Sequence, residues 1–172
     1  MPLKTLSQMN LRGKRVLTRV DLNVPMVGGK VADATRIEKI VPTIKEIITK
    51  GGTPILLAHM GRPKGKRNQK LSLSQLQEEL ETYLGSKVIF VAECIGPSAE
   101  TALEIVKNGE IILLENTRFY PEEEENDPKF AASLAALGDL FCNDAFSASH
   151  RAHASTTGLA KYLPSCAGKL ME

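Results

Sequence analysis

The sequence predicts an α/β fold, a doubly wound, Rossmann-like parallel sheet with helices on both faces, in three layers. Short apolar runs rich in β-branched residues alternate along the chain with longer amphipathic stretches. That alternation is typical of βαβ units with right-handed crossovers. The short runs are apolar almost throughout, as strands covered on both faces should be.

Five runs are predicted to be strands, at residues 15–20, 53–58, 88–91, 110–114 and 139–142. The stretches between and after them predict helices at residues 34–50, 72–84, 97–107 and 127–137, and a short last helix capped by Ser155 or Thr156. In the first helix, isoleucines recur at helical spacing until Gly51 and Gly52 end it. The basic run 64–70 and the acidic run 122–125 are predicted to be solvated loops or helix approaches.

Composition indicates one ordinary globular domain. The chain has 172 residues, 42% hydrophobic and 24% charged, with a formal net charge of +2. So small an excess of positive charge gives no general attraction for nucleic acid or anionic lipid. Three scattered cysteines favour neither disulfides nor a thiolate metal site. With no signal-like start and no apolar stretch of the ~20 residues that span a bilayer, we expect a cytoplasmic protein without membrane contact.

Polar residues follow four of the predicted strands. The segments begin at Arg19 (RVDLNVP), His59 (HMGRPKG), Glu115 (ENTRF) and Asn143 (NDAFSASHRAH). Because the carboxyl ends of parallel strands meet at one edge of a sheet, where ligands bind, we expect these segments to converge in one cleft.

The converging side chains are mainly cationic. They are Arg19, Arg36, Arg62, Arg118 and Arg151, with His59, His150 and His153. Arginine suits bidentate recognition of carboxylate and phosphate, and each charge-assisted hydrogen bond contributes about 1.5–3 kcal/mol. Histidines could add donors and respond to pH near neutrality. Taken singly, each residue could equally be a surface ion pair, but together they indicate a site for a small, multiply charged anion.

Other chemistries fit the sequence poorly. It contains neither a GxxxxGK[ST] nor a GxGxxG phosphate loop, and no GxSxG nucleophile motif. His150 and His153 have no companion cysteine or carboxylate motif, so we expect no metal site. Basic residues without interleaved aromatic residues do not favour single-stranded nucleic acid.

The segments RVDLNVP, DATRI, LLAHMGRPKG, LLENTRF, NDAF and HRAHAST together resemble the phosphoglycerate kinase family. The resemblance spans residues 11–169. Two positions depart from the family pattern: Thr117 stands where valine is commoner, and Ser147-Ala148-Ser149 stands where Gly-Thr-Ala is usual. Serine lacks the backbone freedom of glycine, so the second departure could alter the loop beside the cleft.

The resemblance implies that residues 1–172 form only the N-terminal, phosphoglycerate-binding lobe, and that a C-terminal nucleotide-binding lobe is missing. The whole enzyme would transfer phosphoryl reversibly between ATP and 3-phosphoglycerate, giving ADP and 1,3-bisphosphoglycerate. Mg-ATP or Mg-ADP would bind the missing lobe, and this chain alone would bind no cofactor. We expect a monomeric lobe without catalytic activity of its own.

The resemblance also assigns roles to residues. Asp21 and Asn23 would bind the hydroxyl and carboxyl end of the substrate, and Arg36 would be the catalytic residue beside the phosphoryl group in flight. The phosphate of the substrate would be held by His59, Arg62, Arg118 and Arg151. A supporting basic patch would consist of Arg19, His150 and His153.

Two alternatives stay open at this stage. The chain could be a non-enzymatic module whose basic cleft binds an unrelated phosphorylated ligand or RNA. It could also self-associate through a surface that normally faces the missing lobe.

Overall fold

A computed structural model of the protein describes residues 4–145 and 152–171. Its strands are β1 (Lys4–Thr5), β2 (Arg15–Arg19), β3 (Met26–Val27), β4 (Lys30–Val31), β5 (Thr53–Leu57), β6 (Val88–Val91), β7 (Ile111–Leu114), β8 (Leu140–Asn143) and β9 (Ser165–Ala167). Seven of them form one sheet in the order β1-β9-β8-β2-β5-β7-β6. Every pairing in this sheet is parallel, whereas β3 and β4 form a separate antiparallel hairpin.

The α-helices are α1 (Thr35–Thr49), α2 (Gln77–Leu84), α3 (Pro97–Ile105), α4 (Pro121–Glu124) and α5 (Pro128–Ala135). Short 3₁₀ turns cover Leu6–Gln8, Gln69–Leu71, Leu73–Leu76 and Thr117–Phe119, and a π-helical turn covers Ala154–Gly158. Two helix ends have well-defined caps. Gly85, in the left-handed conformation, ends α2, and the Asp127 side chain accepts the Phe130 N–H at the start of α5.

Helices cover both faces of the sheet. The isoleucines of α1 and the leucines of α2 pack on one face, against Leu56, Ile111 and Leu113. On the other face, α3, α5 and the π-helical turn pack against Ile55, Ile112 and other strand residues. The predicted three-layer, doubly wound architecture is confirmed.

The five predicted strands are present, and the first and last residue of each lie within one position of those predicted. β1, β9 and the β3–β4 hairpin were not predicted from the sequence, and each of these strands has only two or three residues. The predicted last helix is a π-helical turn capped by His153, so Ser155 and Thr156 lie inside it and neither is its N-cap. In the described part of the chain, no helix combines the length and apolar character that crossing a membrane requires.

Candidate functional site

The central strands bring the predicted polar segments to one edge of the sheet. β8, β2, β5 and β7 are neighbours in that order, and all point the same way. Arg19 ends β2, His59 follows β5 by two residues, and Arg118 lies in the 3₁₀ turn after β7. These residues therefore meet at the carboxyl edge, the position at which parallel α/β sheets bind ligands.

Arg19 is a fully buried guanidinium at the centre of this edge. Its Nη1 donates to the carbonyl oxygens of Val20 (3.0 Å) and Leu57 (3.4 Å), and its Nη2 lies 2.9 Å from Nδ1 of His59. Burial lowers the pKa of Arg19, and the negative charge of Glu123 opposes that shift. Within residues 4–145 and 152–171, no carboxylate lies within ion-pair distance of Arg19.

His59 is a neutral side chain in this environment. Burial is the main cause that lowers its pKa to about 3, and the charges of Arg19, Arg118, His153 and Arg36 add to the effect. The expectation that His59 responds to pH near neutrality is therefore wrong. Sequence could not show that the imidazole is surrounded by cations and largely withdrawn from water.

The depressed pKa of His59 makes the stability of the fold depend on pH. Below pH 6.5 the unfolded chain binds a proton that folded His59 excludes, so stability is lost as the pH falls from about 6.5 towards 3. We expect His59 to account for about 2 kcal/mol of lost unfolding free energy between pH 7.5 and pH 5. Urea unfolding of the parent and of His59→Gln at both pH values measures this. An equal pH dependence in the two proteins would refute it.

His153 is also withdrawn from solvent. It caps the π-helical turn, and its side chain is buried. Burial lowers its pKa, the Arg118 charge acts in the same direction, and the Glu123 charge opposes them. The charge of Arg118 also lowers the pKa of both Arg19 and His59, and the charge of His153 lowers the pKa of His59.

Asp21, Asn23 and Arg36 form a second group beside this one. The Asn23 N–H donates to Asp21 Oδ1 (3.0 Å), and Arg36 Nη1 lies 3.5 Å from the same oxygen while also donating to the Asn23 carbonyl. Asn23 Oδ1 accepts the Gly61 N–H (2.9 Å), which links the segments after β2 and β5. The Arg36 side chain is 48% exposed, so its ion pair with Asp21 is weak enough to exchange for a ligand.

Arg62 and Arg118 stand on segments that are fixed by backbone contacts. Arg118 is half-buried; its N–H donates to Asn116 Oδ1 (3.0 Å), and its carbonyl accepts the Gly65 N–H (3.1 Å). Arg62 is exposed and follows Gly61. Gly61 has a positive φ, and a Cβ there would lie 2.6 Å from a methyl group of Leu71, so the turn that presents Arg62 requires glycine.

Glu115 is a buried carboxylate that was not among the predicted site residues. Its oxygens accept from Ser72 Oγ (2.7 Å), the Leu73 N–H (2.9 Å) and the Asn116 N–H (2.9 Å). Asn116 in turn donates to the carbonyl oxygens of Met60 and Leu71. Glu115 therefore ties together the segments that follow β5 and β7. Its position directly after the apolar run IILL was the signal available in the sequence.

Glu123 departs from the prediction that the acidic run 122–125 is a solvated loop or helix approach, whereas Glu124 and Glu125 are exposed. Glu123 is fully buried, and its carboxylate accepts the N–H (2.7 Å) and the hydroxyl (2.6 Å) of Ser155. It thereby anchors the π-helical turn that follows His153. Its charge also favours the protonated forms of Arg19 and His153, so a buried anion offsets part of the cationic field of the edge.

The described residues thus place most of the predicted site together. The residues that interact at this edge are Arg19, His59, Arg118 and His153, with Arg36, Asp21 and Asn23 beside them. Arg62 directly follows Gly61, whose N–H donates to Asn23 Oδ1. His150 and Arg151, together with Ser147-Ala148-Ser149, lie outside the described residues.

A cavity of about 510 Å³ adjoins Asn23 and Gly61. Much of its lining is apolar, with Val24, Met60 and Leu71 among the residues that form it. The lining includes Lys70 but none of Arg19, His59 and Arg118, so the cationic edge is distinct from this cavity and is the candidate site. Over the described residues, no group of three or more His, Cys, Asp or Glu side chains is arranged to hold a metal ion.

Comparison with known proteins shows which family the chain belongs to. A family model described as phosphoglycerate kinase matches residues 6–172. The chain belongs to the phosphoglycerate kinase family. The family indicated by the sequence motifs is therefore confirmed. Curated phosphoglycerate kinases that resemble the chain include that of Ruegeria sp. (strain TM1040), 59% identical over 172 residues, and that of Methylorubrum extorquens (strain PA1), 59% identical over 162 residues.

Solved phosphoglycerate kinases have the same fold. The enzyme from Coxiella burnetii aligns with a TM-score of 0.87 at 39% identity, and that from Pyrococcus horikoshii OT3 with 0.88 at 30% identity. Each alignment covers 98% of this chain but only 42% and 43% of the solved chains. The two curated relatives are covered over 43% and 40% of their length, against 100% and 94% of this chain. The chain thus spans less than half of the phosphoglycerate kinases it matches.

Proposed function

We propose that this chain is the 3-phosphoglycerate-binding lobe of a phosphoglycerate kinase, spanning residues 1–172. The observation that carries the proposal is the meeting of three arginines, Arg19, Arg118 and Arg36, around the neutral His59 at the carboxyl edge of the sheet. Several cationic groups at one edge are stable together when an anion lies among them. Family membership favours the phosphorylated acid over other anions.

The phosphate of the ligand would be held by His59, Arg62, Arg118 and Arg151, with Arg19, His150 and His153 as the supporting patch. Asp21 and Asn23 would bind the hydroxyl and carboxyl end, since both are half-buried and lie beside Arg36. Glu123 offsets part of the positive charge of the edge. Arg62 and Arg118 would provide directed donors for phosphate oxygens. Both acceptor forms, 3-phosphoglycerate and 1,3-bisphosphoglycerate, would use these contacts.

The reaction needs no general base in this lobe. The substrate carboxylate is ionised at neutral pH, and one of its oxygens attacks the γ-phosphorus of ATP as the bond from that phosphorus to the β-phosphate bridging oxygen breaks. Arg36 would be the catalytic residue, because its exposed guanidinium can leave Asp21 for the equatorial oxygens of the migrating phosphoryl group. The products are ADP and 1,3-bisphosphoglycerate.

The nucleotide would be held by a second lobe, joined to this one in the whole enzyme. Mg²⁺ bound with the nucleotide supplies charge neutralisation to the phosphoryl group. This lobe would hold the acceptor and exclude water from it when the two lobes close. Alone, it would bind substrate as a monomer in the cytoplasm without turning it over, with neither nucleic acid nor membrane as a partner.

Titration calorimetry with 3-phosphoglycerate tests the proposal. We expect saturable binding that Arg118→Met weakens by about 10–100-fold, the equivalent of one charge-assisted hydrogen bond of 1.5–3 kcal/mol. Arg12→Met is the matched control, since Arg12 is exposed and precedes β2, at the opposite edge of the sheet.

Glycerate and inorganic phosphate serve as partial ligands, and each should bind more weakly than 3-phosphoglycerate. Absence of binding at millimolar 3-phosphoglycerate would overturn the proposal. Steeply salt-dependent binding of RNA in its place would favour a nucleic-acid module.

A further inference from the structure

We propose that Arg19 is a positioning residue that fixes His59 as a neutral imidazole with its single proton on Nε2. His59 then offers a bound anion one directed N–H group and no positive charge. The part that concerns the anion rests on the proposed function, whereas the state of the ring stands on this structure alone. His59 differs in this way from the arginines around it, which bring charge and donors together.

The contact at Nδ1 determines the position of the proton. Arg19 Nη2 lies 2.9 Å from His59 Nδ1. A guanidinium has donors only, so the ring nitrogen that faces it must present a lone pair. The neutral ring carries one proton, which therefore resides on Nε2.

Arg19 cannot easily turn away to allow a second ring proton. It is fully buried, and its Nη1 is held by the carbonyl oxygens of Val20 and Leu57. Protonation of Nδ1 would set two N–H groups and two positive charges against each other inside the protein. No carboxylate of the described residues forms an ion pair with either side chain to offset this.

Burial and the charges of Arg19, Arg118, His153 and Arg36 all disfavour the imidazolium form of His59. The carboxylates of Glu123 and Asp21 act on Arg19, where they favour the charged guanidinium. His59 is half-buried, and its Nε2 makes no hydrogen bond within the described part of the chain. A ligand oxygen at the carboxyl edge would accept a hydrogen bond from Nε2.

Nitrogen NMR of the ring tests the inference without any ligand. In protein labelled with ¹⁵N at histidine, multiple-bond ¹H–¹⁵N spectra distinguish the two tautomers and the imidazolium, and His59→Gln identifies the signals. We expect an unprotonated Nδ1, a protonated Nε2 and no titration of His59 from pH 5 to 8. A Nδ1–H tautomer, or an imidazolium within that range, would overturn the inference.

Arg19→Met supplies the causal test, with Arg12→Met as the control. Without the guanidinium, we expect His59 to lose its preference for the Nε2–H tautomer and its pKa to rise, although burial and Arg118 still hold that pKa below its usual value. Arg19→Lys should restore part of the tautomer preference. An unchanged Nε2–H tautomer in Arg19→Met would contradict the role of Arg19. If that variant does not fold, the spectrum of the parent protein still decides the state of the ring.

Addition of 3-phosphoglycerate separates the two proposals. We expect bound ligand to shift the Nε2 signal while the ring stays neutral. Conversion to imidazolium on binding would overturn the inference with the proposed function intact. Failure of the ligand to bind a ring that shows the expected tautomer would instead overturn the proposed function.

Discussion

Replacing Arg36 by alanine in a two-lobed enzyme that carries this chain should lower kcat by about 10²–10³-fold with little change in KM for 3-phosphoglycerate. Arg36 is half-exposed, and it contacts Asp21 and the Asn23 carbonyl without a buried partner. Its removal should therefore change the binding of the ground-state substrate little. A donor that acts on charge developing in the transition state changes kcat and kcat/KM together.

Steady-state kinetics with both substrates varied measures the split between kcat and KM. Arg36→Lys should recover part of the lost kcat, because lysine keeps the charge but lacks the planar pair of donors. Arg12→Ala, which removes an exposed arginine from the opposite edge, should leave both constants unchanged. A raised KM with unaltered kcat would remove Arg36 from the catalytic role and make it a substrate-binding residue.

Replacing Glu115 by alanine should lower the free energy of unfolding by about 3–5 kcal/mol. The variant leaves three buried donors, on Ser72, Leu73 and Asn116, without their acceptor. It also opens a gap between the segments that follow β5 and β7. Urea unfolding at pH 7.5 gives the loss as a shift in midpoint at constant m-value.

Glu104→Ala is the matched control, since Glu104 is an exposed residue of α3. Its effect should lie within about 0.5 kcal/mol. A loss below about 1 kcal/mol in Glu115→Ala would mean that water replaces the carboxylate, and that the Glu115 contacts contribute little to the site's rigidity.

The predictable part of the fold is the part that is buried on both faces. β5 and β7 have mostly apolar sequences because helices cover each side of the sheet, and such runs can be recognised in the sequence. β1 and β9 pair as Lys4↔Cys166 and Thr5↔Ala167. Strands this short carry no periodicity, and their pairing depends on residues at opposite ends of the sequence.

The composition of the site was predictable, but its protonation states were not. Strand order was enough to bring the Arg19 and His59 segments together, since β2 and β5 are adjacent and parallel. The neutral state of His59 depends on its burial and on a contact with Arg19, a residue 40 positions earlier. The burial of Glu123 depends on Ser155, which is 32 positions away. Neither of these long-range contacts can be predicted from the local sequence.

The strand order also determines when β2 can pair with β8 during translation. β2 lies at the middle of the sheet, and its partner on one side is β8. Just before β8, the carboxylate of Asp139 accepts the N–H of Arg15, a residue 124 positions earlier. At roughly 5–20 residues per second, a ribosome needs about 6–25 s to make that interval. For that time the nascent chain presents one unpaired edge of its central strand, the kind of edge at which chains pair with each other. Rapid translation or a bound chaperone would therefore benefit this half of the sheet most.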